Sequence, residues 1–199
     1  MPLRRVDLRR QLDAIAFRQA GFFTAAQALD IGYSYQAQKY HVDSGNWARI
    51  DRGLFRLPNW PSSLDDQHVR WSLWGGGRAV ISHDSALRIH GLSDVDPVRI
   101  HLTVPPGFRS ADPLVVLHRD VLQDSDTEHH QAWRVTTPMR TLVDIAEGDL
   151  SQEQVDRAVA DAIDRGLVTR RALLRRTADV AERSALRLER ALARREQSE

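Results

Sequence analysis

Cysteine is absent from the 199 residues, which removes any disulfide framework, thiolate metal site or cysteine nucleophile. Lysine occurs once, at Lys39. No glycine-rich loop ends in a lysine, and "GGGRAV" (75–80) has neither the spacing nor the side chain of a P-loop. A nuclease centre of carboxylates with a downstream lysine is missing too, and no Gly-x-Ser-x-Gly or kinase signature set occurs. Long apolar runs are also lacking. None approaches membrane-spanning length, and no apolar segment follows the basic start "MPLRRVDLRR". A cytoplasmic protein with no membrane partner is the expectation. Aromatics are only 7% of the chain, but 42% hydrophobic residues suffice for a buried core, so the chain is not disordered.

Net charge is +1, and that total hides an asymmetry. Residues 1–58 carry nine Lys/Arg against five Asp/Glu, residues 59–145 carry eight against eleven, and residues 146–199 carry eleven of each. A basic module beside an acidic one points to a polyanion partner for the first alone.

The basic module has a readable order. "VDLRRQLDAIAFRQAG" has helical spacing, with Asp7 placed to cap it and Gly21 to end it. Thr24 suits the N-cap of a short helix through Leu29, Gly32 the turn, and Ser34 the cap of "YQAQKYHVDS", which Gly45 stops. "NWARI" and "LFRLP" read as strands joined around "DRG". Helix, helix, turn, helix and hairpin is the order of a winged helix-turn-helix.

"NWPSS" (59–63) reads as a linker. Beyond it come a helix from about Leu64 to Trp74, a short strand "RAVIS", a helix "HDSALRIH" and a strand "VRIHLTV" ended by Pro105 and Pro106. "PLVVLHR" and "WRVTT" are further strands, and Pro138 opens the helix "MRTLVDIAE". Everything from Ser151 reads as helix, with Thr169 as a cap. The expected fold class is therefore α+β. Residues 1–60 form a winged helix-turn-helix, and residues 61–199 a small mixed α+β domain with a helical C-terminus.

In a helix-turn-helix the second helix of the pair enters the major groove. Helical phase puts Ala37, Tyr40, His41 and Ser44 on the core side, leaving Tyr35, Gln36, Gln38, Lys39 and Val42 outward. Glutamine pairs with adenine and lysine with guanine or phosphate, and the hairpin's Arg49, Arg52 and Arg56 suit phosphates. The expected DNA-binding set is Ser34, Tyr35, Gln36, Gln38, Lys39, Arg49, Arg52 and Arg56. Asp43 and Asp51 oppose DNA contact and mark the limits of the footprint. The competing reading is a protein-docking module with solvated arginines. One such module reads few base pairs, so a homodimer on DNA or cooperative loading on repeated half-sites is expected.

"GFFTAAQALDIGYS…SGNWARIDRGLFRLP" resembles the N-terminal winged helix of AbiEi-type antitoxins of type IV toxin–antitoxin systems. Gly45, Arg49, Gly53, Phe55 and Leu57 match its "G-x-x-x-R-x-x-x-G-x-[YF]-x-L" pattern in place. "ISHDSALRIHGL", "VRIHLTVPPGFR" and "VTTPMRTLVDIAE" resemble the same family's downstream region, so the resemblance covers about residues 15–147. It implies a transcriptional autorepressor that binds double-stranded operator DNA and neutralises a cognate nucleotidyltransferase-like toxin. It also implies an alternative, since some relatives modify their toxin. Others carry an endonuclease-like extension, which is expected to be missing or truncated after "ERSALRLERALARREQSE".

The middle region holds His68, His83, His90, His101, His118, His129 and His130. Ser82, His83 and Asp84 form the one cluster that suits an enzyme. Against that, Ser82 occupies an N-cap position, Asp84 favours the helix dipole, and no His pair has zinc-like i, i+4 spacing. "EHH" (128–130) reads as a solvated loop, and His41 as a core histidine. No catalytic residue, metal or cofactor is expected. Two alternatives stay open: a toxin-modifying, kinase-like enzyme acting through the second domain, and a winged-helix repressor that senses a ligand.

Overall fold

The computed structural model describes residues 5–196. The basic start through Arg4 and the last three residues, which the sequence assigns to the closing helix, lie outside the described residues. Packing divides the chain into two units. The first runs to Ala79 and includes His129–Trp133; the second comprises Val80–Glu128 and the stretch from Arg134 onward. The architecture is mixed α+β with two sheets.

The first unit runs α1 (Arg5–Arg18), β1 (Phe22–Thr24), α2 (Ala25–Ile31), α3 (Tyr35–Asp43), β2 (Ala48–Asp51), β3 (Leu54–Arg56) and α4 (Asp66–Trp74). Thr24 and Gln27 close a reciprocal capping box at α2, and the Ser34 hydroxyl accepts from the Ala37 N–H to start α3. Gly32, at φ +120°, ends α2 in a backbone region that other residues resist. Because α1 already begins at Arg5, Asp7 sits in its first turn and is not the cap. β1 is absent from the sequence reading. It pairs antiparallel with β3, giving the three-stranded order β1-β3-β2.

Leu12, Ala16, Phe23, Ala28, Ile31, Tyr33, Trp47 and Phe55 make this unit's core. Trp47 meets Phe23 edge-on at 4.9 Å and Phe55 at 5.6 Å. Such aromatic pairs add about 0.5–1.5 kcal/mol each beyond burial, which matters in so small a core. The sequence places α4 past a linker, yet α4 packs within this unit. Its Asp66 pairs with Arg56 at 2.6 Å, and its Arg70 lies 3.6 Å from Asp51.

In the second unit β4 (Val80–Ile81), β5 (Ile100–Val104), β6 (Val115–Arg119), β7 (Thr127–His129) and β8 (Arg134–Thr136) form a sheet of order β6-β5-β4-β8-β7. β4 is antiparallel to β5 and parallel to β8, whereas β5 and β6 run parallel. The "EHH" stretch is not a loop as expected, since β7 takes it to His129. His130, which belongs to the first unit, stacks on Trp133 at 3.8 Å. Helices α5 (His83–His90), α6 (Pro138–Glu147), α7 (Gln152–Asp164), α8 (Arg170–Thr177) and α9 (Glu182–Glu196) share a core that includes Leu87, Leu142, Val155, Leu173 and Leu188.

Two glycines separate backbone strain from steric conflict. Both Gly21 (φ +83°) and Gly45 (φ +71°) hold the left-handed region, but only Gly21 has a neighbour, with Trp60 Cγ 2.3 Å from a would-be Cβ. Gly45→Ala should cost about 1–2 kcal/mol from backbone strain alone. Gly21→Ala should add roughly 1–3 kcal/mol of overpacking to that. Urea unfolding of both variants tests the difference. Equal losses would show that Trp60 does not lie against the Gly21 backbone.

Candidate nucleic-acid interface

The exposed face of α3 differs from the one its helical phase suggests. Gln38, expected outward, is 3% exposed, and its side-chain amide donates to the carbonyls of Ala25 and Tyr33, both at 3.1 Å. Tyr40, expected inward, is 64% exposed, and Ser44 is exposed as well. Val42, also expected outward, packs against the core. The buried side of α3 therefore runs through Ala37, Gln38, His41 and Val42. The outward residues are Tyr35, Gln36, Lys39, Tyr40 and Asp43. A polar residue occupies the most buried slot because its amide gives the Tyr33 carbonyl a donor and adds a second one to Ala25.

Ser34 stands exposed at the N-terminus of that face, as placed by its cap. Lys39 pairs with Asp43 at 2.5 Å, but both side chains are well exposed. An exposed i, i+4 pair contributes only about 0.3–0.5 kcal/mol, so Lys39 is readily redirected to another anion. Asp51 is turned inward to Arg70 and accepts from the Arg52 N–H.

The hairpin arginines divide. Arg49 and Arg52 are exposed, Arg52 at the turn and Arg49 reaching back over the Phe55 ring at 5.9 Å. Arg56 is otherwise engaged: its side chain is 16% exposed, lies over Phe22 at 4.6 Å, and bonds Asp66 and the Pro61 carbonyl. It braces the hairpin against α4 and presents little to a ligand. The structure thus brings Ser34, Tyr35, Gln36 and Lys39 onto one helix face, and it removes Gln38 and Arg56 from the exposed set. Tyr40 joins that face. Helical spacing alone missed it because the pattern of apolar residues points the wrong way.

The second unit gathers groups distant in sequence. The His83 ring stacks on His118 at 3.4 Å, and His118 Nε2 lies 3.2 Å from His101 Nδ1. Asp84 Oδ2 is 3.7 Å from His101 Nε2. Asp144 is buried. Its Oδ1 accepts from Arg140 Nε at 2.6 Å, while its Oδ2 has no hydrogen-bond partner and lies 3.8 Å from His83 Nδ1. Arg140 also bonds Asp120 and lies 3.5 Å from Asp126. Burial, reinforced by neighbouring imidazoles and Arg140, lowers the His83 pKa to about 2. Burial likewise lowers His101 and His118 to about 4. Burial raises Asp144 to about 7 even though Arg140 opposes it.

Ser82 sits at the N-cap position of α5 but makes no capping bond. Its hydroxyl accepts from Thr103 at 2.8 Å and lies 3.0 Å from His83 Nδ1. Ser82 and Asp144 therefore face the same ring nitrogen, and Ser82 is fully buried. A Ser–His–Asp relay needs the two partners on opposite nitrogens and an accessible hydroxyl. Among the described residues no three His, Asp or Glu side chains converge where a metal ion could sit. No helix among them is long and apolar enough to cross a membrane.

Residues 10–58 match the model of a family described as "Transcriptional regulator, AbiEi antitoxin". That segment runs from within α1 to the end of the hairpin, so the family resemblance read from the residues is borne out there. No curated protein matches the sequence. Among solved structures, the crystal structure of the RV2827C protein from Mycobacterium tuberculosis is similar over 97% of this chain and 78% of its own. The TM-score is 0.62 and the identity 14%, a likeness of fold.

The titrating cluster fixes how stability should vary with pH. The three histidines protonate more readily unfolded, so they remove stability as pH falls from about 6.5 towards 4. Asp144 acts oppositely: its folded carboxyl holds a proton up to about 7, so its contribution to stability falls as pH rises from about 4 to 7. Below 6.5 three histidines outweigh one carboxyl. The urea midpoint should therefore rise from about pH 4 to about 7 and then level off, and Asp144→Asn should steepen that rise. A midpoint that falls from about pH 5 to 6.5 in the wild type, or a rise no steeper in Asp144→Asn, would contradict these assignments.

Proposed function

We propose that the first unit is a winged helix that binds duplex DNA. In this reading the chain is a cytoplasmic antitoxin that represses its own operon and neutralises a nucleotidyltransferase-like toxin. One observation carries the reading: α3 exposes Tyr35, Gln36, Lys39 and Tyr40 beside a hairpin whose Arg49 and Arg52 are exposed. The planar amide and the ammonium suit base edges, and phenol and guanidinium groups suit phosphates. The family match over residues 10–58 supports the same conclusion. Residues 1–60 do the reading, with α4 as their brace, and the remainder serves the toxin. Two copies would bind repeated half-sites, because one module spans too few base pairs for useful specificity.

A second reading, an enzyme that modifies the toxin, is favoured by the strongly shifted His83, His101, His118 and Asp144, since such groups collect at active sites. The buried Ser82 and the shared His83 nitrogen weigh against it, so the non-enzymatic reading is preferred.

Two experiments test this account. In the full chain, Arg52→Ala should weaken all duplexes about equally and lower the salt dependence. Gln36→Ala or Lys39→Ala should cost on the order of 1–3 kcal/mol at the preferred site and blur the preference. Salt-insensitive binding, equal in wild type and Arg52→Ala, would defeat the DNA reading. For the enzyme alternative, toxin is incubated with wild type, Ser82→Ala and His83→Ala, and its mass and activity are recorded. Ser82→Ala should cost about 1–3 kcal/mol of stability through the orphaned Thr103 hydroxyl, with the toxin's mass unchanged throughout. A mass shift that requires His83 would establish the enzyme instead.

A further inference from the structure

A groove of about 1200 Å³ opens in the first unit between α1, α3 and the segments that follow α3 and β3. Gln36 and Tyr40, one turn apart on the outward face of α3, line one wall. Arg5 and Arg9 of α1 line the other, and Asn46 borders it. Both arginines are exposed, and Arg5 makes no ion pair among the described residues. Asp13 is the one acid in the lining, and it is held only loosely by Arg9 at 3.8 Å. The wall shared with the DNA-facing side of α3 means that whatever occupies the groove is continuous with, or excluded by, the partner on that face.

Resting on the DNA reading above, we propose that this groove takes the sugar–phosphate backbone flanking the site that α3 reads, with Arg5 and Arg9 on successive phosphates. The chemistry is donor-rich: two guanidinium groups, the Asn46 amide and the Tyr40 hydroxyl all suit phosphate oxygens. A duplex bound on Gln36 and Tyr40 necessarily extends past them, and this groove lies directly beside that pair. His41, which also lines the groove, reports the field there. Burial lowers its pKa first, then the charges of Arg5 and Arg9.

The test is a salt titration of full-length protein on a duplex carrying its own promoter and on an unrelated duplex. Losing two phosphate contacts in the double variant R5A/R9A should make the log–log salt slope shallower by about 1.8 and weaken both duplexes by the same factor. R5K/R9K should keep the slope, because a lysine still neutralises a phosphate. By NMR, the His41 pKa should rise in R5A/R9A, and in the wild type it should rise when DNA binds. A slope unchanged in R5A/R9A but shallower in Arg52→Ala would overturn the groove assignment and leave the DNA reading standing. A wild type with no duplex affinity would remove both. Matched circular dichroism and melting curves ensure that a lost helix is not read as a lost contact.

Discussion

The side-chain amide of Gln38 sets the rotation of α3, and much of the first unit's surface chemistry follows from it. Its NH₂ donates to two carbonyls, one at the start of α2 and one in the turn before α3. Turning α3 by one residue would put Ala37 or Lys39 in that slot, and Ala37 would leave the Tyr33 carbonyl without a donor. An unsatisfied buried carbonyl costs about 1–3 kcal/mol, a large fraction of what so small a unit has to lose. The amide thus holds Gln36, Lys39 and Tyr40 outward without touching any partner itself. Arg56 plays a matching part for the hairpin: pinned by Asp66 and Phe22, it fixes the hairpin that carries Arg49 on a strand and Arg52 at the turn.

The second unit rests on a different constraint. Burial holds His83, His101 and His118 neutral, with the mutual contact of the imidazoles second for His83 and His118, and burial holds Asp144 near its midpoint around neutral pH. This arrangement ties the start of α5 to β5, β6 and α6 through polar contacts at the edge of an apolar core. It also explains why Ser82 gives up its capping role, since its hydroxyl is already committed to Thr103 and faces His83.

Local chemistry was legible in the sequence wherever one residue decides it. Thr24, Ser34, Thr169 and Pro138 all stand where their capping or first-turn chemistry places them. The turn glycines of the hairpin and of α2 are equally plain. What escaped depends on contacts between distant residues. β1 is three residues long and becomes a strand only against β3. The outward face of α3 was misjudged because periodicity treats glutamine as surface and tyrosine as core, whereas the carbonyls of Ala25 and Tyr33 accept from the Gln38 amide and reverse that order. The histidine cluster was invisible because the parallel register of β5 and β6 sets Thr103 opposite His118, which brings residues from four elements together.

The most direct test of the central claim is chemical-shift mapping of the full chain titrated with its own promoter duplex. The backbone and side chains of Tyr35, Gln36, Lys39, Tyr40, Arg49 and Arg52 should shift together. The Gln38 side-chain amide should keep its resonance and its protection from exchange. Perturbations confined to the second unit, or an exposed and exchanging Gln38 amide, would contradict a DNA-reading face set by that buried side chain.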